Sequence, residues 1–276
     1  MTNGAYTYDG AFVAALTDTA YRAGEAAMNV YETDFEVFTK ADKSPVTAAD
    51  MLAEAIILED LARLAPSVPV IAEEKSAVGN IPETGALFFL VDPLDGTKEF
   101  LNKRGDFTVN IALIEHGIPI FGLVYAPALG QFYVTLARSE AVSAHIKRTG
   151  AALRLDALDL KIMRTRTGNP GALTGVASRS HMTPETQSFL DAHDVRETKN
   201  VGSSLKFCLV AAGEADVYPR FGPTKEWDTA AGHAVVNAAG GCVLLPSGEP
   251  LAYGKRNANY LNPNFIVWGR SPASER

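Results

Sequence analysis

Along residues 11–31 (AFVAALTDTAYRAGEAAMNVY) apolar groups recur at the spacing of one helix face, and the pattern predicts an α-helix. EVFTK at 36–40 alternates as a strand does. KSPVTAADMLAEAIILEDLARLAP follows; Thr47 with Asp50 three residues later resembles a capping box, and the helix should run to Pro66. VPVIAEE (68–74) reads as a short buried strand ending in two glutamates. ALFFLV (86–91) reads as another, ending in Asp92. FTVNIALIEHG, PIFGLVYAP and QFYVTLA predict three more strands, with turns at Gly117 and Gly130. The first half is therefore expected as two helices followed by a meandering sheet.

The second half alternates. GVASRS (175–180) is expected as a strand and TPETQSFLDAH as a helix. SSLKFCLVAAG predicts a helix with Ser203 or Ser204 at its cap and Gly213 at its end. ADVYPR is a strand, and WDTAAGHAVVNAAGG a helix with Asp228 at its start and Gly240 closing it. GCVLLP and NFIVWG are the final strands. Alternation here and a meander before it predict α/β layers in one unit with two lobes, about 1–150 and about 151–276. The boundary is expected near the loop at 147–172.

Composition narrows the class of partner. Hydrophobic residues make up 47% of the 276 and charged residues 21%, enough to bury a full core. No apolar run reaches the length of a membrane span, and the start has no basic and apolar signal-peptide pattern. Two cysteines, Cys208 and Cys242, form no disulfide framework and suit a reducing cytoplasm. Net charge is −7 without a basic patch, which argues against nucleic acid. An anionic ligand would then need something other than overall protein charge to attract it, and a metal ion is the obvious candidate.

The chemistry gathers at the ends of elements. Glu73 and Glu74 follow one strand, Asp92 follows the next, Asp95 stands where a helical turn can begin, and Asp228 opens a helix. Carboxyl ends of strands and amino ends of helices are where ligands collect in α/β proteins. In DPLDGT, Pro93 biases Asp92 towards an extended backbone, and the chain must then turn. Asp92, Asp95 and the Leu94 carbonyl can converge as an all-oxygen corner suited to Mg²⁺. Gly96 permits close approach, and the amides after it, with the Thr97 hydroxyl, can face a phosphate. Taken singly, Asp228 and Asp95 read as helix caps and Glu73-Glu74 as solvated surface. Zinc spacing is absent among His116, His145, His181, His193 and His233, and there is no G-x-S-x-G elbow, Walker A or G-x-G-x-x-G motif. His233 falls within a helix and is expected to be packed.

Together the segments carry a resemblance. AEE at 72–74, DPLDGTKEF at 92–100 and EWDTAAGHAVV at 226–236 look like the three signatures of the inositol monophosphatase superfamily, and KSPVTAAD at 43–50 resembles its upstream Thr-x-x-Asp segment. The TKEF continuation, GSSLKFCLVAAGEADVYPRFGPTKEWD and the late LNPNF resemble the bacterial 3′(2′),5′-bisphosphate nucleotidase branch, of the CysQ type. The resemblance implies a layered α-β-α-β-α sandwich of the sugar phosphatase type and a Mg²⁺-dependent, lithium-sensitive phosphatase. Its substrate would be 3′-phosphoadenosine 5′-phosphate, in support of sulfate assimilation, with the sulfated form as a further substrate. It implies one Mg²⁺ at Glu73, Asp92 and the Leu94 carbonyl, and a second at Asp92, Asp95 and Asp228. A third, weaker ion is expected near Glu73 and Glu74. Asp50 and Thr47 would orient Thr97 or the attacking water, with Glu73 as base. The substrate would meet Glu73, Leu94, Asp95, Gly96, Thr97, Gly202, Ser203 and Asp228. Lys206, Arg220, Lys225 and Arg179 are candidate anion partners. A homodimer and a cytoplasmic site, peripheral to the inner membrane, accompany the branch. The rival expectations are an inositol monophosphatase or another small phosphate-ester phosphatase, and a non-catalytic metal or nucleotide sensor.

Overall fold

The computed structural model describes residues 6–40, 45–169, 171–178 and 182–270. The first amphipathic stretch is α1 (Gly10–Tyr31), started by Asp9, whose side chain accepts from the Phe12 N–H. β1 (Val37–Thr39) and β2 (Pro45–Thr47) pair as an antiparallel hairpin. Thr47 then caps α2 (Ala48–Leu64), and its capping box with Asp50 is complete. β3 (Val70–Ala72) leads into the short α3 (Glu73–Ala77). β4 (Leu87–Asp95) carries the DPLD segment and is followed by the short α4 (Thr97–Leu101).

The meander follows as β5 (Thr108–Glu115), β6 (Ile118–Ala126) and β7 (Gln131–Ala137), with turns at Gly117 and Gly130 as expected. Two strands that the pattern did not predict extend it, β8 (Glu140–His145) and β9 (Lys161–Ile162). The seven-stranded sheet has the order β3-β4-β5-β6-β7-β8-β9, and all its pairs but the parallel β3–β4 are antiparallel.

The second sheet is built from β10 (Leu173–Ser178), α5 (Pro184–Ala192), β11 (Val195–Val201), α6 (Leu205–Ala211) and β12 (Val217–Arg220). α7 (Ala230–Ala238), β13 (Cys242–Leu244) and β14 (Phe265–Trp268) complete it. Its order is β11-β10-β12-β14-β13. β11 was not expected: VRETKNV is polar on both faces and lies at the sheet edge, so it shows no alternation.

The layers are α1 and α2, the seven-stranded sheet, α6 and α7, the five-stranded sheet, and α5 outside it. One core lies between α1/α2 and the first sheet, around Leu16, Ile57, Phe89 and Phe121. A second joins both sheets to α6 and α7, around Phe207, Val235, Phe265 and Leu90. Cys208 is buried in that second core. No helix among the described residues is long and apolar enough to cross a membrane.

Candidate active site

β4 does not end at Asp92. It runs to Asp95 through a bulge, so that Asp92 pairs with Asn110 and Asp95 with Thr108 on β5. Two residues on β4, Pro93 and Leu94, therefore oppose Val109 alone on β5, and Pro93, which could not serve a regular central ladder, sits in the irregular part. The Asp92 carboxylate accepts from the Leu94 N–H at 2.9 Å and is almost fully buried. Gly96 then takes φ +93°, which favours glycine, and turns the chain into α4. The Thr97 hydroxyl donates to the Leu94 carbonyl at 3.4 Å.

Other elements deliver the remaining acids to the same place. Parallel pairing sets Ala72 beside Val91, so Glu73, directly after the end of β3, comes next to Asp92 within β4. Asp228 comes from the other side. It is not the cap of α7, as the sequence suggested; Thr229 occupies that position, and the Asp228 carboxylate instead accepts from the Lys225 N–H at 2.8 Å. Thr47 and Asp50 are together, the Asp50 carboxylate accepting from both the N–H (2.7 Å) and hydroxyl (2.8 Å) of Thr47. Among the described residues no hydrogen bond joins Asp50 to Thr97.

These residues border a cavity of about 270 Å³ whose lining includes Glu73, Asp95, Gly96, Thr97, Gly202, Ser203 and Asp228. Of the expected site residues, Thr47, Asp50, Glu74, Asp92 and Leu94 do not line it. They are buried behind it. Burial, then repulsion from Glu73, Asp95 and Asp228, pushes the Asp92 carboxyl well above the usual range. Asp228 is raised likewise, by burial and then by Asp95 and Glu73. Burial lifts Asp95 to about 6 against the opposing pull of Lys206 and Ser204, and Glu74 to about 7 against Lys40. Asp50 is also raised by burial, partly offset by its two bonds from Thr47.

Buried carboxylates crowded in this way are costly unless a positive charge compensates them. Lys40 supplies one, donating to Glu73 at 2.7 Å and Glu74 at 2.6 Å, and its ammonium is raised because those two carboxylates outweigh its burial. Nothing in the sequence pattern pointed to Lys40. Among the described residues no three acidic, histidine or cysteine side chains already form a coordination shell; Glu73 is drawn to Lys40, Asp92 to Leu94 and Asp228 to Lys225. The donors are nevertheless all oxygen: the carboxylates of Glu73, Asp92, Asp95 and Asp228 and the Leu94 carbonyl. That set fits a hard divalent cation of the Mg²⁺ class.

The lining also has basic and aromatic members. Lys206 is buried; its ammonium donates to the Ser203 carbonyl at 2.6 Å and stands 5.7 Å from the centre of the Tyr218 ring. Burial lowers it to about 8, with Asp95 pulling the other way. Arg220 lines the same cavity. One Nη donates to the Pro223 carbonyl at 2.9 Å, while its buried Nε has no partner among the described residues. Lys225 is not in the lining; it reaches the Asn259 carbonyl and stands over Trp227. Arg179 lies outside the described residues. Ser204 is the residue before α6, but its hydroxyl caps nothing and points instead to Asn110, Thr108 and Asp95. Thr108 and Asn110 were missed by sequence reasoning; the available signal was two polar side chains at alternate positions in an otherwise apolar strand.

A model of the inositol monophosphatase family matches residues 11–267. The 3′(2′),5′-bisphosphate nucleotidase CysQ of Escherichia coli (strain K12) is 45% identical over 250 residues, 90% of this chain and 96% of that protein. The CysQ of Salmonella typhimurium is 44% identical with the same coverage. Among solved structures, CysQ from Bacteroides thetaiotaomicron superposes with a TM-score of 0.77 at 38% identity, covering 95% of this chain and 97% of that one.

Proposed function

The chain belongs to the inositol monophosphatase family, and from that premise we propose that it is a Mg²⁺-dependent 3′(2′),5′-bisphosphate nucleotidase. It removes the 3′-phosphate of 3′-phosphoadenosine 5′-phosphate to leave AMP and phosphate, and so serves sulfate assimilation. The observation that carries this reading is the one cavity lined both by the acids Glu73, Asp95 and Asp228 and by the cations Lys206 and Arg220. A monoester needs one anion site. A bisphosphate needs a second, distant from the reacting phosphorus, and fixed cations provide it.

Glu73, Asp92, Asp95, Asp228 and the Leu94 carbonyl are the groups that would hold Mg²⁺, with Glu74 supporting a further, weaker site. Bound Mg²⁺ supplies Lewis acidity at the phosphoryl oxygens and lowers the pKa of water. The chain's own residues do the rest. The Gly96 and Thr97 amides hold the phosphoryl group at the turn. Because the Thr97 proton is given to the Leu94 carbonyl, its oxygen remains an acceptor that can orient water. Asp50 and Thr47 brace this corner, and Glu73 takes the proton. A water oxygen bonds to phosphorus, the bond from phosphorus to the ribose 3′-oxygen breaks, and that oxygen ends with the proton the water gave up. Gly202, Ser203, Lys206 and Arg220 hold the nucleotide end. The same reading carries a cytoplasmic homodimer with at most a peripheral contact at the membrane.

The test is phosphate release with Mg²⁺ from 3′-phosphoadenosine 5′-phosphate and inositol 1-phosphate in parallel, with and without Li⁺. The expected result is a strong preference for the nucleotide and inhibition by Li⁺. A preference for the inositol ester would keep the carboxylate cluster and overturn the substrate, and no release from either would favour a binding protein.

A further inference from the structure

The β4–β5 register sets two polar side chains against the two aspartates, Asn110 opposite Asp92 and Thr108 opposite Asp95. Directly opposed residues share a sheet face. Both are almost fully buried, as is Ser204, which enters from the start of α6 to meet them. Ser204 Oγ lies 2.6 Å from the Asn110 side-chain carbonyl oxygen, 3.0 Å from Thr108 Oγ1 and 3.2 Å from Asp95 Oδ2. Thr108 Oγ1 is also 3.1 Å from Ser203 Oγ, which reaches the Asp106 carbonyl at 3.2 Å. The Asn110 Nδ2 has no partner among the described residues.

The three hydroxyls own three protons, and that number does not suit this amide direction. With Oδ1 towards Ser204, the serine's only proton goes to Asn110, so Asp95 Oδ2 faces a lone pair and two amide protons are buried unused. With the amide turned about, Nδ2 donates to Ser204 Oγ, the Ser204 proton is released to Asp95, Thr108 donates to Ser203 and Ser203 to the Asp106 carbonyl. The two ends of an amide have the same shape, so packing does not oppose the turn. An orphaned buried donor is rarer in proteins than an under-used carbonyl.

We propose that Asn110 is a positioning residue which, by donating to Ser204, directs the serine proton onto Asp95 and fixes that carboxylate for its cation. The relay also anchors the start of α6, which carries Lys206, to the strand opposite the aspartates. It rests on the reading of Asp95 as a cation ligand.

The test uses Asn110→Asp, which keeps the shape and loses the donor, with Ser204→Ala, the double variant and Asp95→Asn. Two quantities are read: Mn²⁺ binding by calorimetry without substrate, and Mg²⁺ activation of phosphate release alongside KM at saturating Mg²⁺. Each single variant should weaken Mn²⁺ binding and raise the half-activating Mg²⁺ about tenfold, the scale of lost support behind a metal ligand, with KM and melting temperature little changed. The double variant should be no worse than the poorer single one, as expected for two links of one chain. Multiplied effects in the double variant, or unchanged metal binding in Ser204→Ala, would overturn the relay. Ser204→Ala deletes a single hydroxyl and decides the matter even if Asn110→Asp does not fold. If Asp95→Asn bound Mn²⁺ as the wild type does, the cation reading itself would fail; if Asp95→Asn lost binding and Ser204→Ala did not, the relay alone would.

Discussion

At the scale of the residue, Asp92 is the position where charge and burial conflict most. It has almost no exposure, it accepts a hydrogen bond from the Leu94 N–H, and Glu73, Asp95 and Asp228 all repel it. Asp92→Asn keeps the shape and removes one repelling charge. We expect the fold and melting temperature to hold in the absence of metal, while kcat with Mg²⁺ falls at least to the extent seen when a charge-stabilising group is lost, roughly 10²–10³-fold. Near-normal turnover would contradict the ligand assignment. Asp50 differs, because both of its observed partners are on Thr47 rather than in the cavity. Asp50→Asn should lower kcat about a hundredfold, in the range of lost acid–base assistance, with little change in Mg²⁺ half-activation. A metal titration of that variant checks it: a shift in Mg²⁺ requirement with kcat preserved would make Asp50 part of the metal shell.

At the scale of the element, Gly122 shows how the second layer of helices sets the site. A Cβ on this β6 residue would stand 2.2 Å from the Ala231 carbonyl oxygen and 2.7 Å from the Ala234 side chain, so α7 can pack closely only because the position has no side chain. α7 begins two residues after Asp228. Gly122→Ala should destabilise by about 3 kcal/mol, the upper end of overpacking costs, and should lower activity by displacing the Asp228 turn. Thermal unfolding and an assay on the folded fraction measure the two effects separately; an unchanged melting temperature would show that β6 and α7 can part without cost.

The same scale explains what the sequence revealed. α1, α2 and the β5–β7 meander were legible because each declares itself locally, by a 3.6-residue period, a Thr47–Asp50 box or alternation broken at glycine. β11 was not, since an edge strand with polar faces has no period to read. The acids at strand and helix ends were legible as a candidate site, as were Gly202 and Ser203. The Lys40 bridge to Glu73 and Glu74, and the pairing of Asn110 with Asp92, depend on which strands become neighbours; they appear only once the sheet is assembled. The change of role for Ser204, from expected cap to tertiary hydrogen bonds, has the same origin, whereas Asp228 turns back locally onto the Lys225 N–H.

At the scale of the whole molecule, burial fixes how stability responds to acid. His233 sits inside α7, within 3.0 Å of the Tyr253 hydroxyl, and burial lowers its pKa to about 3. The unfolded chain binds that proton at about 6.5 and the native one does not, so this contribution is present above 6.5 and is lost as pH falls towards 3. The loss approaches about 1.4 kcal/mol per pH unit, or roughly 2 kcal/mol between pH 7 and pH 5. His233→Asn should show a shallower fall in denaturant midpoint over that interval, and parallel curves for the two proteins would refute the assignment.

The cavity gathers its charged residues from several elements: Asp95 ends β4, Glu73 opens α3, Lys206 stands on α6, Arg220 ends β12 and Asp228 precedes α7. On the proposed reading the acids serve hydrolysis and Lys206 and Arg220 recognise a second phosphate. The most direct measurement is kcat/KM for 3′-phosphoadenosine 5′-phosphate against adenosine 3′-phosphate, in the wild type and in Arg220→Gln. The account predicts that the wild type prefers the bisphosphate at least about tenfold, the worth of one charge-assisted contact, and that Arg220→Gln loses most of that preference with kcat retained. Equal kcat/KM for the two nucleotides in the wild type, or a preference untouched in Arg220→Gln, would contradict it.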